Sequence, residues 1–257
     1  MSFTLKSQSG IQAADALPAI TVHDVHLSYR SIVPVSKRKT QARKKGRVEH
    51  FEALHGVSFT IGQGEIVGLV GRNGSGKSTL LRVLAGIFEP DKGFVDLHGH
   101  TVSLLALGVG FQTQLSGREN IYLSGLLLGF TKQDIDAQID EIIAFSELEK
   151  FIEKPVRTYS SGMQSKLGFA ITAILKTDII LVDEVLSVGD SHFKKKSFAK
   201  MQELISEKTR TVVIVSHNAS TIRNTCEKVV WLHDGDIKMI GDTATVVDLY
   251  EEFMSQY

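Results

Sequence analysis

The sequence predicts an α/β fold built around a parallel sheet, and three stretches predict it. "GRNGSGKST" (71–79) joins a short apolar run to a helical pattern, while "DIILVD" (178–183) and "TVVIVSH" (211–217) are continuous apolar runs. Strands read this way when helices cover both faces of their sheet.

The remaining elements follow in chain order. "AITVHDVHLSY" (19–29) alternates apolar and polar residues and predicts a half-buried strand, and "FEALHGVSFTI" (51–61) resumes in the same style. The polar break between them, residues 31–50, predicts a loop in which "SKRKTQARKKGR" (36–47) holds seven Lys or Arg and no acid. "EIVGLV" (65–70) predicts a buried strand, and "STLLRVLAGIF" (78–88) predicts a helix with Leu80, Leu81, Leu84 and Ile87 at helical spacing. Residues 131–152 carry Ile135, Ile139, Ile142, Ile143, Phe145 and Leu148 on one stripe, as a packed amphipathic helix does. "KMQELISE" (200–207) predicts a helix between the last two apolar strands. "KVVWLHDGDIKMIGD" (228–242) predicts a hairpin, because Asp234 and Gly235 suit the positive φ angles of a type I′ turn.

Composition narrows the class. With 257 residues, 42% of them apolar, and 29 basic against 29 acidic side chains, the chain can bury a core as one large domain and does not resemble a protein that coats nucleic acid. Cys226 is the only cysteine, which excludes an internal disulfide and a multi-cysteine metal site, and it reads as a packed thiol. Residues 1–18 lack the basic start and apolar run of a signal peptide and read as a tail. The longest apolar patch, 121–130, is broken by Ser124, Gly125 and Gly129. It falls short of the roughly 20 residues that span a bilayer.

The chemistry-bearing residues lie at the ends of the predicted strands. Gly71, Gly76, Lys77 and Ser78 match G-x-x-x-x-G-K-[ST] between a strand and a helix. In that setting Gly71, Arg72, Asn73, Gly74, Ser75 and Gly76 turn backbone N–H groups around a β-phosphate, and the helix opening at Lys77, Ser78 and Thr79 adds partial positive charge. Lys77 is expected to bridge the β- and γ-phosphates and Ser78 to hold Mg²⁺. Asp183 and Glu184 follow an apolar strand, which places Asp183 to reach Mg²⁺ and Glu184 to polarise the water that attacks the γ-phosphate. His217 ends another strand on the same edge, where it can donate a hydrogen bond to that phosphate.

Together with "YSSGM" (159–163), these motifs resemble, in their order, the ATP-binding cassette ATPases over residues 19–250. The resemblance implies an ABC nucleotide-binding domain over 19–257: a P-loop NTPase with a RecA-like parallel-sheet core, an antiparallel β-subdomain and an inserted helical subdomain over about 115–176. It implies that Ser160, Ser161 and Gly162 form the nucleotide-contacting signature, that Ser187 to Asp190 form the D-loop, and that His217 is the switch histidine. Gln112 or Gln114 would be the glutamine that senses the γ-phosphate and reaches the metal. Gln112 is preferred because it directly follows a strand-like segment. Tyr29 stands where such ATPases stack an aromatic on adenine, with the basic insertion that follows it as the competing influence.

Two departures narrow the resemblance: Tyr159-Ser160-Ser161-Gly162-Met163 replaces the usual Leu-Ser-Gly-Gly-Gln, and Val185 replaces a proline. With "DEVLSVGD", "SGRENIYLSGLLLG" and "VSHN", they are similar to the subfamily that exports undecaprenyl-linked polymers, teichoic acids first, then O-antigen and capsular polysaccharides. That resemblance implies an ATPase using ATP and Mg²⁺, acting as a homodimer on the cytoplasmic face of a bacterial plasma membrane. It further implies a separate membrane permease in two copies, a lipid-linked anionic glycopolymer as cargo, and no nucleic acid partner. The carbohydrate-binding domain that O-antigen relatives often carry is not expected within the chain. The 36–47 stretch is either a solvated loop or a contact for anionic headgroups. A cassette ATPase acting on ribosomes or nucleic acid is disfavoured by the single cassette and the balanced charge. A GTPase or small-molecule kinase using the P-loop alone is disfavoured by the lack of Asn-Lys-x-Asp and by the presence of "YSSGM".

Overall fold

The computed structural model describes residues 17–33, 47–105, 110–183, 190–207, 209–216 and 218–256. The strands are β1 (Pro18–Val33), β2 (Arg47–Gly62), β3 (Ile66–Val70), β4 (Lys92–Asp96), β5 (Val102–Leu105), β6 (Ile179–Val182), β7 (Thr211–Val215), β8 (Lys228–His233) and β9 (Asp236–Asp242). The α-helices are α1 (Lys77–Leu84), α2 (Gly117–Leu127), α3 (Lys132–Ser146), α4 (Ser161–Ile174), α5 (Ser191–Ser206), α6 (Ala219–Thr225) and α7 (Thr243–Ser255).

The strands form two sheets, one of order β2-β1-β4 and one of order β5-β6-β7-β3-β8-β9. Pairing is antiparallel in the first, and parallel in the second except for the β8-β9 hairpin. Every residue of β3, β6 and β7 is buried, which is why these strands carry unbroken apolar runs. Leu54 and Ile61 from the antiparallel sheet meet Leu69, Leu80, Leu84 and Val213 in one core. On the other face of the parallel sheet Phe193, Val212, Trp231 and Val246 form a second core. A third core, with Ile121, Ile135, Ile142 and Leu167, belongs to α2, α3 and α4 and gives this helical layer its own packing.

Several boundaries differ from the sequence reading. β1 runs past Tyr29 to Val33 and β2 begins at Arg47, with the ladder continuing from Tyr29↔Phe51 to Val33↔Arg47. The cross-strand bonds satisfy backbone groups whatever the polarity of the side chains, so apolar alternation understates the hairpin. Residues 34–46, most of the basic stretch, lie outside the described residues. Helix α1 stops at Leu84 rather than at Phe88, just before Gly86 at φ 68°. Helix α3 stops at Ser146 because Glu147 turns left-handed at φ 59°, although Leu148 and Ile152 still bury themselves in the same core. Helix α5 begins at Ser191, well before residue 200, because the Asp190 carboxylate accepts from the N–H groups of His192 and Phe193, both at 3.0 Å. The β8-β9 turn has the expected geometry, with Asp234 at φ 47° and Gly235 at φ 84°. Cys226 is buried, and that burial pushes its thiol up to about 12, so it stays neutral at physiological pH.

Candidate nucleotide-binding cleft

The cleft is built where β3 gives way to α1. Gly71 has φ 154°, and a Cβ there would lie 2.2 Å from the Leu232 carbonyl oxygen; Gly76 has φ 101°, and its Cβ would lie 2.7 Å from the Ala53 carbonyl oxygen. Only glycine lets the loop approach both neighbours. The loop is held from inside by Lys77, whose Nζ donates to the carbonyls of Gly71 and Arg72 at 2.7 Å each. From outside, the Ser75 carbonyl accepts from the Gly235 N–H at 3.2 Å, which ties the loop to the β8-β9 turn. Ser75 and Lys77 are buried, while Arg72, Asn73, Gly74 and Ser78 are exposed. Gly76 caps α1 without any side-chain acceptor, so the first N–H groups of the helix are not claimed by a capping side chain.

A cleft of about 250 Å³ opens beside this loop. Asn73, Gly74, Gly76, Lys77, Ser78 and Thr79 line it from the loop and helix. Tyr29, Phe51 and Ala53 line it from the antiparallel sheet, and Asp183 lines it from the end of β6. A buried ammonium and an uncapped helix N-terminus suit a polyphosphate. The Ser78 hydroxyl and the Asp183 carboxylate supply oxygen donors on the same cleft, with Ser78 open to solvent. That donor set suits Mg²⁺, a hard cation that takes oxygen ligands and keeps several waters. Among the described residues no group of three or more His, Cys, Asp or Glu competes as a metal site.

Other expected site residues lie elsewhere. Glu184, His217 and Ser187 fall outside the described residues. Gln112 and Gln114 are exposed in the segment before α2, and neither lines the cleft. Gln112 does not directly follow a described strand, since β5 ends at Leu105; its backbone N–H donates to Asn120 Oδ1 at 2.8 Å. Ser160 caps α4, its hydroxyl accepting from the Met163 N–H at 3.2 Å, with Ser161 and Gly162 opening the helix. Tyr159 anchors this opening by donating to the Phe151 carbonyl at 2.7 Å. None of Ser160, Ser161 and Gly162 lines the cleft.

The sequence reading missed Phe51. It pairs directly across from Tyr29 and is 62% exposed at the mouth of the cleft. Tyr29 is engaged by its neighbours: its hydroxyl is 3.0 Å from Thr79 Oγ1 and its ring stands edge-on to Phe88 at 6.0 Å. The signal was the strand register, which the polar break between β1 and β2 concealed.

A buried strand, a glycine loop closed on a lysine, a helix and an acid at the end of another strand of the same sheet define a P-loop nucleotide-binding domain. Residues 54–187, just over half of the 257, match a family model described as "ABC transporter". The chain belongs to the ABC transporter family. It is 46% identical to the teichoic acids export ATP-binding protein TagH of Bacillus anthracis over 87% of this chain and 40% of that protein. It is 46% identical to the O-antigen export system ATP-binding protein RfbB of Myxococcus xanthus over 79% of this chain and 46% of that protein. It thus spans less than half the length of these two relatives. The RfbB protein of Klebsiella pneumoniae is 42% identical over 91% of this chain and 93% of its own length. A solved dimeric ATP-binding cassette, MJ0796 bound to ADP and Pi, shares the fold at TM-score 0.65 and 22% identity, covering 87% of this chain and 98% of that one.

The exposed face of Phe51 carries a prediction for base recognition. Base–aromatic stacking contributes ~1–3 kcal/mol per base, so Phe51→Ala is expected to weaken binding of a fluorescent adenine nucleotide at least about fivefold, whereas Tyr29→Phe changes it less. Unchanged affinity in Phe51→Ala, with a loss in Tyr29→Ala, would return the adenine contact to Tyr29.

Proposed function

We propose that the chain is the ATP-hydrolysing subunit of an ABC exporter, and that two copies close face to face over ATP. One observation carries the reading: the signature at the opening of α4 lines no part of the cleft formed by the chain's own P-loop. In this reading a second copy completes the site. Lys77 would bridge the β- and γ-phosphates and Ser78 and Asp183 would hold Mg²⁺, with Gln112, which lies outside the cleft, reaching the metal only when the site closes. Bound there, Mg²⁺ would neutralise charge on the phosphate oxygens. Glu184 orients the attacking water, His217 donates to the γ-phosphate, and Ser160 to Gly162 meet that phosphate from the other copy.

The cargo we infer is a lipid-linked anionic glycopolymer, a teichoic acid, moved through a separate membrane permease present in two copies. The name of the Bacillus anthracis relative supports this cargo. O-antigen export is the second reading, and the name of the Klebsiella relative supports it. Among the described residues no helix is long and apolar enough to cross a membrane. In the proposed reading the permease is another chain that holds this one at the cytoplasmic face. An apolar groove of about 210 Å³ between the end of α1 and the helical layer supports such docking. It is lined by Ile87, Val102, Phe111 and Leu127, and Ile87 and Leu127 are 42% and 69% exposed. Phe111 adjoins Gln112, so a permease segment in this groove would sit beside the proposed γ-phosphate sensor.

Two tests follow. Glu184→Gln should bind ATP with Mg²⁺ and accumulate as a dimer on gel filtration, while Lys77→Ala stays monomeric; a monomeric Glu184→Gln protein with full hydrolysis would contradict the reading. Purification from detergent-solubilised bacterial membranes should bring down a multi-span membrane protein in equal amount. Recovery with ribosomes or DNA alone would overturn the exporter assignment.

A further inference from the structure

A polar cavity of about 500 Å³ lies at the opposite edge of the parallel sheet from the nucleotide cleft, between α3, the end of α4, α5 and the start of β7. Arg210, the residue before β7, lines it and is only 6% exposed. The backbone is held where the strand begins: the Thr211 N–H donates to the Asp178 carbonyl at 3.0 Å, and the Thr211 hydroxyl accepts from the Gly64 N–H at 3.0 Å. The guanidinium is not satisfied to match. Its Nη1 is buried without a hydrogen-bond partner, and its Nη2 approaches Glu207 Oε2 only to 3.5 Å, longer than the roughly 2.7–2.9 Å of a charge-assisted hydrogen bond. Buried donors are ordinarily satisfied, so an arginine with this much unused capacity on a cavity wall points to an acceptor bound there.

The charges around Arg210 narrow what that acceptor is. Three cations on the wall, Lys176, Lys200 and Arg210, are matched by three acids, Glu141, Glu203 and Glu207. Lys200 is engaged with Glu203 at 2.8 Å, whereas neither Lys176 nor Gln138 has a side-chain hydrogen bond or ion pair among the described residues. The three acids are exposed, and Arg210 is buried behind them. A wall without net formal charge disfavours a multiply charged phosphate. A guanidinium with unused N–H groups, an unpaired ammonium and an amide suit a single carboxylate, and Glu141 can accept from a hydroxyl or ammonium on the same ligand. We propose that this cavity binds a small organic carboxylate, with Arg210 holding the carboxylate and Lys176 and Gln138 closing on it. Because α3 packs in the helical layer and α5 and β7 in the core against the parallel sheet, the ligand fastens one layer to the other. The site is separate from the nucleotide cleft and does not depend on the exporter reading.

The test titrates the full chain, labelled for amide NMR, with acetate and with glycolate, replacing sodium chloride at constant ionic strength. Saturable shifts are expected at the Gln138 side-chain amide and at the Arg210 and Thr211 backbone amides, with half-saturation on the order of 1–10 mM, the range open to so small a ligand. Lys176→Met should weaken this binding at least threefold and Arg210→Met at least tenfold. Affinity for an adenine nucleotide should stay within twofold in both, since neither residue lines the nucleotide cleft. Shifts that stay linear to about 50 mM in the wild-type chain, the result for a cavity that holds water alone, would overturn the proposal. Saturable shifts that either variant leaves unchanged would overturn it as well. Inorganic phosphate binding more tightly than either carboxylate at the same amides would overturn the choice of ligand class. If Arg210→Met does not fold, the exposed Lys176→Met carries the test with the same required loss.

Discussion

The structure depends on a buried ammonium held by its own loop. Lys77 is 6% exposed and donates to the carbonyls of Gly71 and Arg72, so the loop must curl tightly around the start of α1. Removing a charge from water is costly unless its donors are satisfied, which leaves the loop little freedom. The curl presses Gly71 against the Leu232 carbonyl and Gly76 against the Ala53 carbonyl, drawing strands of both sheets onto one loop. The β8-β9 turn completes the connection: Gly235 donates to the Ser75 carbonyl at 3.2 Å and accepts from the His55 N–H at 3.0 Å. The antiparallel sheet, the parallel sheet and the phosphate loop thereby share one set of backbone contacts.

The helical layer is organised differently. Its core of Ile121, Ile135, Ile142 and Leu167 is distinct from the two cores that flank the parallel sheet, while Phe169 and Ala173 of α4 join the second of these. The proposed signature, at the opening of α4, is mounted on this layer, and Lys166 Nζ, 2.8 Å from Asp190 Oδ2, joins the layer to α5. In the proposed reading, a P-loop held in the sheet and a signature carried on the helical layer are two halves of a site that one chain does not bring together. This physical arrangement makes pairing of two copies the economical account of a chain with two phosphate-suited elements.

How much of this was legible in the sequence depends on the kind of signal. β3, β6 and β7 could be read because burial on both faces leaves unbroken apolar runs, and the P-loop because Gly71 and Gly76 occupy positions where a Cβ would strike a carbonyl. The Asp234-Gly235 turn was legible for the same conformational reason. The end of α3 was not, because the left-handed cap is Glu147 rather than a glycine or asparagine, and the apolar stripe continues into Leu148. The role of Phe51 was hidden because it depends on strand register across a polar break. Asp190 reads in the sequence as part of a motif, while its work as a helix cap and ion-pair partner needs α4 and α5 side by side. Glu184 and His217 are legible as strand-end residues and lie outside the described structure.

The central claim, that each complete site is shared between two chains, is tested most directly by mixing two inactive proteins. Lys77→Ala chains and Ser160→Arg chains are each broken at both sites of their own homodimer. In a mixed dimer one site combines both lesions, and the other joins an intact P-loop to an intact signature. Single-turnover hydrolysis should therefore reappear in the mixture, at a level set by the fraction of mixed dimers. A mixture no more active than either parent, with mixed dimers demonstrated by native mass spectrometry, would contradict the account.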